Sequence, residues 1–188
     1  QFARTFVIEA AVCLPIDQLT GKLSTIAAGA DVTDYSTIYA NTETFPAVLT
    51  PDVMKRTGST FEKIGGVAGW NAQAYSLQGY TGGCRLAFKA GVTTLNFMAG
   101  INTDPATDAS YTSVDYQFQC LSTGLVTTYQ GATQFSIGSP SYTTDTLFEI
   151  IYDGSEIRFL MDGVTKRTVN GLEAGLTFYM DLSFSSVG

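Results

Sequence analysis

Apolar and polar side chains alternate most regularly over Thr146–Val169, TLFEIIYDGSEIRFLMDGVTKRTV. Two Asp-Gly pairs, Asp153-Gly154 and Asp162-Gly163, interrupt the run. Asp and Gly tolerate the positive φ of a tight strand reversal, so the pairs mark hairpin turns. The pattern predicts three consecutive antiparallel strands, Thr146–Tyr152, Glu156–Met161 and Val164–Val169. Phe148, Ile150 and Tyr152 share one face of the first, opposite Leu147, Glu149 and Ile151. Ile157, Phe159 and Met161 share one face of the second, with Arg158 and Leu160 on the other. Period-2 patterning of this kind buries one face and leaves the other partly wet.

Further strands are expected at Arg4–Cys13, Thr60–Ile64, Cys84–Lys89, Thr93–Ile101, Val114–Leu121, Leu125–Tyr129, Gln134–Ile137 and Leu176–Ser185. Val114–Leu121 sets Asp115, Gln117 and Gln119 on a wet face against Tyr116, Phe118 and Cys120. In the last run Leu176, Phe178, Met180, Leu182 and Phe184 are in phase. Thr50 as N-cap and Pro51 at the first helical position favour a short helix over Pro51–Lys55. The rest of Leu14–Pro51 reads as loops with short strands, and Asn102–Ser110 as a polar loop of turn formers. About ten strands, little helix and no repeat or linker indicate one two-sheet sandwich or barrel over residues 1–188. A jelly roll with its apolar first and last strands paired fits this order.

Composition narrows the function classes. The 188 residues carry 45% apolar and 14% charged side chains and a net charge of −7. Thr, Ser, Asn, Gln and Tyr stand where Lys and Glu usually do. An acidic, Lys-poor surface argues against nucleic acid and anionic membranes, and suits neutral ligands such as glycans, or other proteins. Lys55-Arg56 and Lys166-Arg167 read as solvated pairs. With no histidine in the chain, Ser-His-Asp and Cys-His catalysis and most zinc sites drop out. Glycoside hydrolysis by paired carboxylates remains, but the Glu-x-Asp-x-x-Glu strand motif of sandwich-fold glucanases is absent. Cys13, Cys84 and Cys120 form no disulfide framework. They read as buried small apolar residues, with one disulfide and a spare thiol as the alternative. There is no apolar run long enough to span a membrane and no visible signal peptide. A chain beginning at Gln1 reads as a processed product or an excised domain.

Three segments carry a family resemblance: AGWNAQAYSLQGYTGGCRLAFK, MAGINTDPATDASYTSVDYQF and FEIIYDGSEIRFLMDG. Gly69–Ser76 resembles a Gly-Trp-Asn/Asp-Ala…Ala-Tyr-Ser motif. Gly100–Tyr116 resembles Gly-Leu-Asn-Thr-Asp-Pro…Asp…Ser-Tyr-Thr-Ser-x-Asp-Tyr, with Ile101 in place of Leu. Tyr152–Gly163 resembles a Tyr-Asp-Gly…Arg…Asp-Gly hairpin. Together, over about Phe61–Val169, they resemble the SPRY-type, concanavalin A-like sandwich modules of bacteriophage tail-fibre and other virion proteins. The resemblance implies an all-β jelly-roll sandwich of two antiparallel sheets. It also implies attachment to a host-surface glycan or protein, location on the virion or otherwise outside the cell, and contact with other virion subunits. It supplies no catalytic set.

Trp70, Tyr75 and Tyr80 are candidates for an aromatic platform on which a sugar face stacks, with Asn71 or an Asp bonding its hydroxyls. The alternative makes Trp70 a core residue. Asn102, Asp104 and Asp108 share one loop and could bind calcium through oxygen, or simply close Asx turns. Asp115 is a wet-face strand residue or a ligand contact. Tyr35 and Tyr39 lie in a Tyr/Ser/Asn/Asp mixture favoured by binding loops and equally by any solvated loop. The expectation is a non-enzymatic attachment module. A structural virion domain, a spacer or homo-oligomerising element, is the alternative, and a glycan hydrolase the third reading.

Overall fold

The computed structural model describes the backbone of residues 8–15 and residues 47–187 in full. Fifteen strands are present among them and no α-helix. The smaller sheet has the order β1-β7-β12-β13-β14, from β1 (Ile8–Pro15), β7 (Cys84–Ala90), β12 (Phe148–Tyr152), β13 (Ile157–Met161) and β14 (Val164–Val169). The larger has the order β11-β10-β9-β8-β15-β5-β2. Its strands are β2 (Ala47–Leu49), β5 (Ala72–Ser76), β8 (Phe97–Asn102), β9 (Tyr116–Cys120), β10 (Val126–Gln130), β11 (Thr133–Phe135) and β15 (Thr177–Phe184). A short β6 (Tyr80–Thr81) adds to β15, and β3 (Met54–Thr57) pairs with β4 (Thr60–Lys63). Every pairing is antiparallel. The described residues form an all-β sandwich of antiparallel sheets, the architecture expected of the jelly roll.

The meander forms as the two Asp-Gly pairs dictate. Asp162 and Gly163 both take positive φ, 49° and 75°, the geometry of the tight turn whose twist matches its strands. At the other turn Asp153 Oδ1 accepts from the amides of Ser155 and Glu156 at 3.1 and 3.0 Å.

Alternation then assembles the core. Phe88, Phe148 and Phe159 project from the smaller sheet, and Phe97, Phe118, Phe178 and Phe184 from the larger; all are fully buried. Phe88 stacks on Phe148 at 4.9 Å and meets Phe97 and Phe118 edge-on at 6.1 Å. Each such ring contributes roughly 2–3 kcal/mol by leaving water. Cys84 and Cys120 are buried free thiols within this layer.

Four expectations change. First, Pro51–Lys55 is not a helix: residues 51–53 turn, with Asp52 at φ 59°, and β3 begins at Met54. The Thr50 hydroxyl reaches across to the amide and carbonyl of Gln73, at 2.9 and 3.3 Å, instead of capping. Second, the first and last strands do not pair. β1 lies beside β7 in one sheet, while β15 sits between β8 and β5 in the other. Third, the supposedly wet faces are partly dry: Glu149, Ile151, Leu160 and Gln117 are all buried. Fourth, Arg167 is no solvated residue. From β14 it crosses to the larger sheet, donating to Thr128 Oγ1 and Gln130 Oε1 at 3.3 and 3.0 Å with its guanidinium over Phe135.

A lysine closes one end of the sandwich. Lys63 at the end of β4 is fully buried. Its ammonium donates to the carbonyls of Val67, Gly69 and Ser185 at 3.0, 3.0 and 3.1 Å, to Asn71 Oδ1 at 2.7 Å, and to Phe184 O at 3.5 Å. Burial lowers its pKa.

Candidate functional site

The loop between β8 and β9 folds over the outer face of the larger sheet. Its two ends are clipped together: Asp115 Oδ2 accepts from the Thr103 amide and hydroxyl, both at 2.8 Å. Side chains from the sheet below then fix its backbone. Gln73 Nε2 donates to Pro105 O at 2.7 Å, Ser183 Oγ to Ala109 O at 2.8 Å, and Gln117 Nε2 to Tyr111 O. Asp104 and Asp108 close turns within the loop, accepting from the Thr107 hydroxyl and from the Ser110 amide and Ser113 hydroxyl.

Register explains why polar side chains lie beneath it. On β15 Phe178, Met180, Leu182 and Phe184 enter the core, so Tyr179, Asp181 and Ser183 point outward. Asp181 is paired with Tyr75 on β5 and with Gly100 on β8, and Gly100 with Gln117 on β9. Gly100 can carry no side chain: a Cβ would lie 2.3 Å from Tyr116 O and 2.6 Å from Gln117 Cβ. Asp181 is fully buried, its Oδ1 accepting from Gln73 Nε2 and its Oδ2 from Asn102 Nδ2, each at 2.9 Å. Desolvation pushes its carboxyl up to about 7, opposed by those hydrogen bonds and assisted by the nearby Asp108 charge.

Beside this network lies an open cleft of about 550 Å³, lined by Tyr75, Ser76, Leu77, Tyr179 and loop residues 103–107. Two tyrosines and Leu77 give it apolar surface; Thr103, Asp104 and Thr107 bring hydroxyls and a carboxylate. A cleft of this make-up can hold a neutral, hydroxyl-rich ligand by ring contact and hydrogen bonds.

The candidate residues disperse. Tyr75 and Asp104 reach the cleft. Tyr80 sits on β6 packed against the core. Trp70 is half-buried and tilted on Tyr111 of the covering loop, centroids 5.1 Å apart, rather than in the core. Asn71 spends its carbonyl oxygen on Lys63, and Asp115 spends Oδ2 on the loop clip. Asn102 turns into the sheet toward Asp181, apart from the turn-closing roles of Asp104 and Asp108. Among the described residues no group of three or more His, Cys, Asp or Glu could hold a metal ion. Tyr35 and Tyr39 lie outside the described residues. The sequence reading missed Tyr179, Thr103, Thr107, Gln73 and Asp181. For Tyr179 and Asp181 the signal was present, as the out-of-phase positions of LTFYMDLSF.

No protein-family model matches the chain, and no curated protein does. Among solved structures it is similar to a Bacillus licheniformis β-glucanase, with 15% identity, TM-score 0.38 and coverage of 74% of this chain and 65% of that one. It is similar to a native glycosidic hydrolase, with 11% identity, TM-score 0.39 and coverage of 79% and 70%. A sialidase matches at 8% identity and TM-score 0.35, over 76% of this chain but 13% of its own. The chain thus spans less than two thirds of the β-glucanase and a small part of the sialidase. With scores and identities this low, nothing about activity passes from them to this chain.

Proposed function

We propose that this protein is a non-enzymatic attachment module that grips a neutral glycan of a host surface in the cleft walled by residues 103–107. The observation that carries the reading is the pairing of Tyr75 and Tyr179 with Thr103, Asp104 and Thr107 around one open cavity. Rings of this kind stack on the C–H face of a sugar, while the oxygens of Thr103 and Thr107, whose hydrogens go to Asp115 and Asp104, and the Asp104 carboxylate accept from hydroxyls at its rim. The motif resemblance over Phe61–Val169 supports a place on a phage virion, in a tail fibre or receptor-binding protein. The chemistry of the buried acids favours binding over hydrolysis: Asp181 is sealed beneath the loop between two amides, and Glu149 is paired with Arg85 on the other sheet.

The test is a glycan array with the purified protein. Retention of neutral glycans is expected. Tyr75→Ala and Tyr179→Ala should each weaken it roughly tenfold, equivalent to about 1.4 kcal/mol. A blank array, or undiminished binding by both variants, would overturn the cleft reading. Release of reducing sugar from a retained glycan would overturn its non-enzymatic part.

A further inference from the structure

Gln73 and Asn102 each serve two masters. Gln73 Nε2 donates one hydrogen to Asp181 Oδ1 and the other to Pro105 O. Asn102 Nδ2 donates to Asp181 Oδ2, while its Oδ1 receives the Asp104 amide at 3.4 Å. Both carboxyl oxygens of Asp181 therefore act as acceptors facing amide donors, an arrangement made for the ionised acid. A proton taken from solvent onto either oxygen weakens that oxygen as an acceptor, and sets O–H against N–H where it takes the lone pair that the amide uses. It finds an acceptor when that amide turns over and offers its oxygen. If Gln73 turns, Pro105 O loses its donor; if Asn102 turns, the Asp104 amide loses its acceptor. Pro105 and Asp104 are both walls of the cleft.

We propose that Asp181 is a proton-operated latch on the loop that walls the cleft, closed when the carboxyl is ionised and released when it is protonated. The latch stands on the hydrogen-bond geometry; that it tunes glycan affinity rests on the cleft reading above. Burial places the exchange near neutrality. The titratable groups around Asp181 are Tyr75 opposite on β5, Tyr179 two residues away on β15, and Asp108 in the loop, whose negative charge favours the protonated form. β8 contributes Asn102, which does not titrate. Among the described residues no ion pair includes Asp181. The chain has no histidine to titrate in the same range.

The single tryptophan supplies a readout that needs no ligand, because Trp70 rests on Tyr111 of the same loop. Fluorescence of the whole protein between pH 5 and 9 is expected to show a one-proton transition centred near 7. The transition should vanish in Asp181→Asn. It should move to lower pH in Asp108→Asn, an exposed substitution that keeps the oxygen accepting from Ser110 and Ser113. A flat wild-type profile, an unchanged transition in Asp181→Asn, or an unmoved midpoint in Asp108→Asn would overturn the latch. Where Asp181→Asn fails to fold, carbon-13 carboxyl NMR of the wild type decides: titration of Asp181 away from neutral pH would overturn it. With cellohexaose and maltohexaose as probes, affinity should be on the order of fivefold higher at pH 8.5 than at pH 5.5. Equal affinity at both pH values would overturn the coupling to the cleft. No binding of either probe, with the fluorescence transition intact, would leave the latch standing and count against the glycan reading.

Discussion

Among the described residues the outer faces of the two sheets each bury one carboxylate, Glu149 and Asp181, and they neutralise it in opposite ways. On the smaller sheet Glu149 of β12 faces Arg85 of β7, with Arg85 Nε 2.7 Å from Oε1 and a second guanidinium nitrogen on the same oxygen. Both residues are nearly inaccessible, 5% and 6% exposed. On the larger sheet Asp181 is buried as deeply, yet its partners are two neutral amides. Taking a charge out of water is costly unless a partner or a proton cancels it. Glu149 has a cation built into the neighbouring strand. Asp181 has the proton, which solvent supplies or withdraws. The first arrangement fixes a structure; the second makes one face of the protein responsive.

Substitutions can break this contrast. Glu149→Ala leaves a guanidinium buried without its carboxylate and should cost up to about 5 kcal/mol, read from urea denaturation at pH 7. Replacing both partners by leucine should restore most of that loss, because well-packed apolar pairs often match buried ion pairs. Asp181 should behave differently. Its folded pKa of about 7 lies above the ordinary carboxylate value, so the folded chain keeps a proton that the unfolded chain releases. Its contribution to stability is therefore complete below about pH 4 and is lost as pH rises through 7. That loss amounts to about 4 kcal/mol, measured as the pH-dependent difference between wild type and Asp181→Asn. If the two lose stability in parallel across this range, the contrast between the faces fails. The contrast sharpens at Gly100, which separates Asp181 from Gln117 in the register. Gly100→Ala forces a Cβ into the β9 backbone and should cost about 2 kcal/mol, read from thermal unfolding.

The meander was legible because its instructions are local: Asp-Gly turns and strict alternation need no knowledge of the remaining chain. The turn at Pro51 was misread for the converse reason. Its helix signals are local, and the Thr50 hydroxyl that overrides them bonds to Gln73, a residue 23 positions away. β5 escaped notice because AQAYS lacks the β-branched residues that mark strands. The wet face expected at Gln117 became dry because a loop lies over it, and no periodicity encodes where a loop will fold. Among the site candidates, Asn71 and Asp115 were chosen for oxygen atoms that could meet a sugar. The fold uses those atoms itself, for Lys63 and for Thr103. Tyr75 was chosen as an exposed ring, and its cleft partner Tyr179 was hidden behind the apolar phase of its own strand.

The oxygen cage around Lys63 has a practical consequence for labelling. An acylating reagent needs a free amine, and this one is enclosed by the carbonyls of Val67, Gly69 and Ser185. Acetylation at Lys63 would therefore proceed only as fast as that end of the sandwich opens. Mass spectrometry of a timed labelling experiment would turn a buried lysine into a clock for that opening.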